Sequence, residues 1–350
     1  MANRSAPGHS GHTWILLKWA WNVYPKWLLN LLSACLKLGH HPRPWKEAIV
    51  CVIPKPNCAD YTLAKNFRPI SLLECLGKLL KKLVAKIIYR DMAKYGLVPT
   101  TPFGVVDTSS TLDAGLTLLH NIKVTHRSKI RAGLLLFDIQ GYFNNINHDR
   151  LIQIFTDLGF APELTWWCRS FLNNCTVRLK FNGETSDSFD FVVGTPQESS
   201  VSPVLSTILT SPLLHKMKTW TNSSLGISIY DGAIFACGNS WEKIETAMRE
   251  EYAMCLDWLT RAGLKVEPDK TELIFFRKPK ERVEPPHFIH LLLPSHNTYY
   301  RVQATNMLRY LGFFFDIRLS WLHYINVICC RARVTLKALQ LLGNSVHGLD

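Results

Sequence analysis

Apolar residues recur along this chain with two periods, one typical of helices and one typical of buried strands. The longest helical pattern covers residues 71–95, where apolar side chains return at every third or fourth position. Ser71 and Glu74 have the spacing of a capping box, and Gly96 follows the end of the pattern. We therefore predict one long helix that begins at Ser71.

The other face of this helix is basic, and either water or a phosphate backbone would satisfy it. It carries Lys78, Lys81, Lys82, Lys86 and Arg90. The same period predicts helices in residues 14–38, with a break near Pro25, and in residues 111–126, 148–160, 162–172, 202–220, 241–262 and 321–342.

Short apolar runs predict the strands, at residues 48–53, 134–137, 176–181, 187–193, 227–230, 233–237, 273–276 and 310–315. Asn182-Gly183 and Asp231-Gly232 are turn dipeptides, and each predicts a tight hairpin between the runs on either side of it. Helices and antiparallel hairpins thus alternate irregularly, which indicates an α+β fold.

Asp138 follows the run Leu134 to Phe137, which reads as a strand buried on both faces. An ionised carboxylate at the end of such a strand is costly unless it is paired or holds a metal. An Asp that caps the next turn would explain the residue equally well. These residues alone leave both interpretations open.

Composition narrows the class of partner. The 350 residues are 47% apolar, with a formal net charge of +13 and a pI near 9.3, so the chain is globular and suited to a polyanion such as nucleic acid. A ribosomal or membrane-surface protein has a similar balance. The ten cysteines show no pattern of a zinc site or a disulfide framework, which favours reduced thiols.

These features predict an intracellular protein of the nucleus or cytoplasm. No segment has the roughly 18 uncharged apolar residues that a membrane span requires. The first acidic residue is Glu47, and this basic, acid-free N-terminal region makes a mitochondrial location the alternative.

Six stretches in one order then carry a resemblance to a known family. They are IPKP with NFRPISLLECLGKLLKK, FDIQGYF with NHDRL, GTPQESSVSPVLSTIL, SIYDGAIFACG, GLKVEPDKTELIFF and LRYLGFFFD. This ordered set, from about Trp45 to Trp321, resembles the fingers and palm of the reverse transcriptase of a non-LTR (LINE-like) retrotransposon, of the fungal type and with degenerate motifs. Each motif alone is a weak signal.

The resemblance implies a polymerase right hand with an antiparallel palm sheet. The implied domains are an N-terminal helical extension at 1–44, fingers at 45–132, a palm with fingers insertions at 133–320, and the start of a truncated thumb at 321–350. We expect the chain to be a fragment of a longer open reading frame.

The family's chemistry is phosphoryl transfer with two Mg²⁺ ions held by carboxylates. The resemblance assigns Asp138 as the strand-end metal ligand and Asp231 as a hairpin ligand. The family has two adjacent aspartates in that hairpin. Here Tyr230 occupies the first position, or else two residues are missing, and in either case one carboxylate is absent.

Further residues match positions that contact the nucleotide. Lys55 and Arg68 match residues that grip the triphosphate, Phe143 matches an aromatic gate under the sugar, and Gln197 belongs to a loop along the template and nucleotide. Lys270 matches a lysine near the leaving pyrophosphate, a possible general acid. Solvated surface is the alternative for Lys55 and Arg68, and core packing is the alternative for Phe143.

Two more departures weaken the match. Glu198 follows Gln197 where the family has a glycine, and a carboxylate there would face phosphates. The basic residues expected after Gly104 are missing. These changes weaken the expected grip on template and nucleotide.

The first hypothesis is therefore an RNA-directed DNA polymerase domain that uses Mg²⁺, an RNA template, a DNA primer and deoxynucleoside triphosphates, and in which this copy is impaired. The second is a catalytically inert remnant that only binds RNA or DNA. A small basic RNA-binding protein unrelated to polymerases is what composition alone would favour.

Overall fold

The structure of the 350-residue chain is a computed structural model. It describes residues 6–56, 60–63, 66–97, 111–181, 183–191, 193–195, 199–217, 223–227, 231–278, 281–293 and 298–343.

The backbone packs into two compact units. The first unit comprises Met1–Val105, Ile139–Lys216 and Trp258–Lys265, and the second comprises Val106–Asp138, Met217–Asp257 and Val266–Asp350. The predicted division into an extension, fingers, palm and thumb stays a prediction.

Each predicted helix is found, and only the ends differ. In chain order the helices are α1 (Trp14–Val23), α2 (Pro25–Lys37), α3 (Cys75–Lys94), α4 (Thr111–Arg127), α5 (His148–Asp157), α6 (Pro162–Leu172), α7 (Ser202–Met217), α8 (Trp241–Arg261) and α9 (Leu322–Gly343). Pro25 separates α1 from α2, as predicted, because it fits the first position of a helix but not its interior. Within the described ranges, no helix is long and apolar enough to cross a membrane.

Strands between these helices confirm the α+β class. They are β1 (Glu47–Pro54), β2 (Phe67–Leu72), β3 (Arg131–Ile139), β4 (Cys175–Phe181), β5 (Glu184–Thr185), β6 (Phe189–Phe191), β7 (Ser223–Ile227), β8 (Asp231–Gly238), β9 (Val266–Phe276), β10 (Phe288–Leu293), β11 (Thr298–Gln303), β12 (Met307–Tyr310) and β13 (Phe313–Asp316).

The sheet of the first unit has the order β2-β1-β4-β5, and β6 also pairs with β4. Strand β1 is antiparallel to β2 and parallel to β4. One face of this sheet is apolar and packs a small core from Ala48, Val50, Leu73 and Val177.

The sheet of the second unit has the order β7-β8-β3-β9, and β8 runs antiparallel to both β3 and β7. Strand β3 is its most apolar member, and Leu134 to Phe137 are buried as predicted. Phe137 pairs with Gly232 across the β3-β8 ladder and packs edge-on against Tyr252 of α8, with ring centroids 5.5 Å apart. The sheet thus rests its buried face on α8.

The predicted capping box at the start of α3 is wrong. Ser71 lies in β2, where it pairs with Val50, and the helix begins only at Cys75. The Glu74 carboxylate instead accepts hydrogen bonds from the backbone N–H and the hydroxyl of Ser10. Pairing with β1 supplies more hydrogen bonds than one cap, so it overrides the local signal.

One predicted hairpin and one predicted strand also differ from the structure. Asp231 and Gly232 lie inside β8 and do not form the turn, since Gly232 pairs with Ile227 of β7. The run predicted as one strand at 310–315 is the β12-β13 hairpin, because Leu311 and Gly312 adopt left-handed conformations with φ of 47° and 93°.

Lys81 is a third difference, because the prediction placed it on the basic outer face of α3. Its side chain is buried, and its ammonium nitrogen lies 5.5 Å from the centre of the Phe171 ring. Burial lowers the pKa of Lys81 from 10.5 to about 7. The helical period cannot distinguish a lysine at the edge of the apolar face from one on the solvent face.

Gly232→Ala tests the packing of the β3-β8 pair. A Cβ at this position would lie 2.0 Å from Cζ of the buried Phe137 ring, so the ring must move. We expect a loss of about 1–3 kcal/mol in the free energy of unfolding, measured by urea denaturation. Gly238→Ala on the same strand is the control, since its Cβ would meet side-chain atoms of Lys243 and Ile244 only at 3.3 Å and beyond. Equal losses in both variants would contradict this account.

Lys81→Met tests the cost of burying the ammonium group. Below pH 7 the lysine is charged in both the folded and unfolded states, and the methionine variant should be more stable by about 1–4 kcal/mol. Between the folded pKa of about 7 and the unfolded value of 10.5, the unfolded state binds more protons, so the wild type gains stability as pH rises. The difference should therefore shrink towards pH 10 in denaturation curves. Lys82→Met, at an exposed neighbour, should show neither effect.

Candidate active site

The register of β3 against β8 brings two carboxylate-bearing residues to opposite backbone positions. Asp138 pairs with Asp231, one step beyond the pair formed by Phe137 and Gly232. Directly opposed residues of an antiparallel pair have Cα atoms about 4.5–5.5 Å apart. This is the pairing that the sequence predicts for these two aspartates.

Asp138 also forms an ion pair that the sequence does not reveal. Nζ of Lys270, on the neighbouring strand β9, donates a hydrogen bond of 2.6 Å to Oδ2 of Asp138 and lies 3.6 Å from Oε2 of Glu267. The hydrogen bond to Asp138 and the attraction of both carboxylates raise the pKa of Lys270. The side chain of Lys270 remains 60% exposed and that of Asp138 25% exposed, so solvent reaches the pair.

The two aspartates suit a hard divalent cation. Carboxylate oxygens are the preferred ligands of such ions, and the charge of Asp138 is already balanced by a cation in this structure. The exposed lysine can leave for water, or stay with Glu267, without burying its charge. Among the side chains that the structure describes, which do not include that of Asp231, no group of three His, Cys, Asp or Glu is arranged to hold a metal.

A tight loop carries Phe143 in the first unit. Gly141 has a φ of 51°, which turns the chain into a short 3₁₀ helix, Tyr142–Asn144. Tyr142 is buried beneath this loop, and its hydroxyl donates to the carbonyl of Ser206 in α7 at 3.0 Å. The Phe143 ring packs edge-on against Tyr142, with centroids 5.7 Å apart, and is half-buried. Tyr142 therefore holds Phe143 in position.

The segment that leads to Gln197 is hydrogen-bonded to the same loop. The N–H of Thr195 donates to the carbonyl of Phe143 at 2.7 Å, and the N–H of Gly194 donates to the carbonyl of Ile146 at 3.1 Å. His148 Nε2 lies 2.6 Å from the carbonyl oxygen of Gly194. Gly194 has a φ of 86°, and a Cβ there would lie 2.5 Å from the carbonyl oxygen of Phe143, so the position requires glycine.

Lys55 and Arg68 lie at the end of the β1-β2 hairpin where the connecting loop joins the two strands. Arg68 pairs with Ile53, and the N–H of Lys55 donates to the carbonyl of Asn66 at 2.8 Å, so the two basic residues are diagonal neighbours. Arg68 is exposed and Lys55 is half-buried. The hydroxyl of Tyr61 donates to the carbonyl of Lys55 at 2.8 Å and supports the strand end.

Some predicted features lie outside the described residues. They are Gln197, Glu198, Tyr230 and the segment around Phe103 and Gly104. The predicted roles of these residues stay predictions.

Sequence reasoning assigned no role to three residues that contact predicted site residues or their loops. Tyr142 could have been found, because a large apolar residue beside a tight turn is a signal of anchoring. His148 and Glu267 gave no signal, because their partners, Gly194 and Lys270, depend on backbone paths that no local pattern encodes.

The sequence of this chain matches the model of a known protein family. The family model described as "Reverse transcriptase (RNA-dependent DNA polymerase)" matches residues 53–315. Reverse transcriptases generally use divalent metal ions, a nucleic-acid template and deoxynucleoside triphosphates.

Retrotransposon proteins are among the relatives. The probable RNA-directed DNA polymerase from transposon BS of Drosophila melanogaster is 26% identical over 249 residues, which cover 70% of this chain and 27% of that protein. The corresponding protein of the X-element is 23% identical over 333 residues, 95% of this chain and 36% of the relative. The polymerase of the mobile element jockey is 23% identical over 309 residues, 87% of this chain and 32% of the relative.

These matches confirm the predicted likeness to reverse transcriptases of non-LTR retrotransposons. The chain spans about a third of the length of these relatives, which all come from an insect. The fungal type stays a prediction.

Two solved structures of telomerase from Candida tropicalis share the fold. One, of the apo enzyme truncated from its C-terminal domain, has a TM-score of 0.52 at 12% identity and covers 85% of this chain and 59% of that one. The other, in complex with a fragment of telomeric RNA, has a TM-score of 0.52 at 12% identity, covering 84% and 48%. At this identity the likeness concerns the fold alone, and it confirms the predicted polymerase right-hand class.

The family model extends over most of the chain and includes both strands that carry the aspartate pair. The chain therefore belongs to the reverse transcriptase (RNA-dependent DNA polymerase) family.

Proposed function

We propose that this chain is the polymerase domain of a retrotransposon protein, that it copies an RNA template onto a DNA primer, and that this copy is impaired. The observation that carries the proposal is the β3-β8 register, which sets Asp138 opposite Asp231. Nucleotide addition by this family needs closely spaced carboxylates, and this register supplies two of them.

Asp138 and Asp231 are the proposed metal ligands, and two Mg²⁺ ions are the proposed cofactors. When bound, such ions would stabilise negative charge on the reacting phosphate and activate the primer hydroxyl. The primer 3′ oxygen forms a bond to the α-phosphorus, and the bond from that phosphorus to the leaving pyrophosphate breaks. The chain itself would hold the two aspartates in register, and Lys270 would leave Asp138 so that the carboxylate can bind a metal.

Lys270 is the proposed general acid. Its ammonium group carries the proton that the departing pyrophosphate oxygen needs, and Glu267 offers a second carboxylate to hold it once Asp138 is engaged. Contact with Asp138 keeps the lysine protonated, because it raises the pKa of Lys270.

Nucleotide contacts are proposed for Lys55, Arg68, Phe143 and Gln197. Arg68 is exposed and can bind phosphate through two parallel hydrogen bonds, and Lys55 supplies a second positive charge. The Phe143 ring is the proposed gate against a ribose 2′-hydroxyl, and the anchoring of Tyr142 would keep that ring rigid.

The missing hairpin aspartate is the reason to propose impairment. Either Tyr230 occupies that position or two residues of the motif are missing, and a phenol with a pKa near 10 is a poor ligand for a hard cation at neutral pH. Each loss of about 1.4 kcal/mol in charge stabilisation lowers the rate tenfold.

We propose that the protein acts in the nucleus or cytoplasm, with the mitochondrion as the alternative location.

A second candidate function is binding of RNA or DNA without synthesis. The observation in its favour is the ion pair of Asp138 with Lys270, which engages one oxygen of the proposed metal ligand. The net charge of +13 would supply the affinity. Binding that weakens steeply with salt, without extension of a primer, would identify this function.

Asp138→Asn tests the proposed chemistry. Primer extension on an RNA template should fall at least a hundredfold with Mg²⁺ or Mn²⁺, because the amide cannot supply the ligand charge. Asp149→Asn, at an exposed position in the first turn of α5, is the matched control and should extend normally. Equal extension by all three proteins would exclude Asp138 from catalysis, and no extension by the wild type would favour the binding-only function.

Tyr230→Asp tests the proposed impairment. Restoring the second hairpin carboxylate should raise the extension rate at least tenfold, by strengthening metal binding. Tyr230→Asn removes the phenol without adding charge and should leave the rate low. A rate unchanged by the aspartate would mean that this position does not limit the reaction.

A further inference from the structure

A cavity of about 180 Å³ lies on one face of the sheet in the first unit. Its floor is the apolar core of Ala48, Val50, Leu73 and Val177. Its other walls come from the strands of the sheet and from the two segments that flank the Phe143 loop, through Lys46, Pro69, Ser71, Asn144, Cys175, Thr176, Leu179, Phe189 and Thr195.

This cavity is distinct from the proposed nucleotide contacts. Pro69 and Ser71 of β2 line it. Successive side chains of a strand point to opposite faces, so Arg68, between Phe67 and Pro69, belongs to the other face of the sheet. The cavity therefore lies behind the surface that carries the proposed triphosphate grip.

One polar group in the cavity wall lacks a partner. Oγ1 of Thr195 is fully buried and makes no hydrogen bond, although a buried hydroxyl normally has one. The backbone N–H of the same residue is used, since it donates to the carbonyl of Phe143. The free hydroxyl thus offers a hydrogen bond to a molecule in the cavity.

The electrostatic environment favours an anion. Lys46 lines the cavity, its Nζ also donates a hydrogen bond of 3.1 Å to the carbonyl of Asn173, and none of the lining residues that the structure describes is acidic. Burial raises the pKa of the Cys175 thiol, while the positive charges of Lys46 and Lys81 oppose this rise, so both ammonium groups act on the cavity wall. Within the described part of the chain, no carboxylate lies within 4 Å of Lys81. Lys81 itself does not line the cavity, so Lys46 is the cation of the described lining that an anion would contact.

We propose that this cavity binds a small organic carboxylate whose apolar body lies on the Ala48, Val50, Leu73 and Val177 floor and whose anionic group is held by Lys46 and the Thr195 hydroxyl. A cavity of about 150 Å³ in a protein core is large enough for benzene, so the volume here suits a single ring with one substituent. The proposal concerns binding alone and does not depend on polymerase activity.

Benzoate is the test ligand, compared with benzyl alcohol and benzylammonium of similar size, in titrations of the full chain followed by ligand-observed NMR. We expect benzoate to bind at least tenfold more tightly than benzyl alcohol, and benzylammonium to bind most weakly. Benzylammonium binding as tightly as benzoate would overturn the proposal, and so would the absence of benzoate binding.

Substitutions in the cavity wall test whether the ligand binds there. Lys46→Met should weaken benzoate binding about tenfold and leave benzyl alcohol unchanged, while Lys180→Met, with the same charge change at an exposed position of β4, should alter neither. Ala48→Leu fills the floor and should abolish binding of both. Equal benzoate affinity in Ala48→Leu and wild type would place the ligand elsewhere and overturn the proposal.

Thr195→Val gives a second test that does not depend on a filled core. The valine has nearly the shape of threonine and removes an unpaired buried hydroxyl, so the free protein should melt at a higher temperature. Benzoate binding should nevertheless weaken severalfold, because its hydrogen bond is lost. Unchanged benzoate affinity in this variant would exclude the proposed role of Thr195.

Discussion

The close contact between Phe137 and Gly232 is the constraint on which the aspartate pair depends. A glycine opposite Phe137 leaves room for the buried ring to lie across β8, and this contact fixes the register of the two strands. A shift of one residue would move every side chain to the other face of the sheet. The next backbone pair in the ladder, Asp138 with Asp231, is therefore set by packing in the core.

Lys270 balances the charge of two carboxylates in the second unit. Its ammonium group on β9 lies 2.6 Å from Asp138 and 3.6 Å from Glu267. The pair is partly exposed, so it contributes little to stability and can exchange with solvent ions. A metal ion at Asp138, as proposed, would therefore have to displace Lys270.

The first unit buries two basic side chains. Lys81 is buried without a carboxylate, and burial lowers its pKa to about 7. His41, buried among the rings of Trp45, Trp167 and Phe171, has both ring nitrogens unpaired, and burial lowers its pKa to about 3. Burial of these two basic groups therefore costs stability at both positions.

The sequence by itself determined the order and type of the elements and the position of Asp138, because apolar periodicity reports burial directly. It also identified the family, through six motifs in one order. Only the tertiary structure decided that Ser71 belongs to a strand, that Asp231 and Gly232 lie within β8, that Lys81 is buried, and that Lys270 pairs with Asp138. Each of these depends on which other segment lies alongside, and such contacts, which for Lys270 and Asp138 span 132 residues, leave no local pattern in the chain.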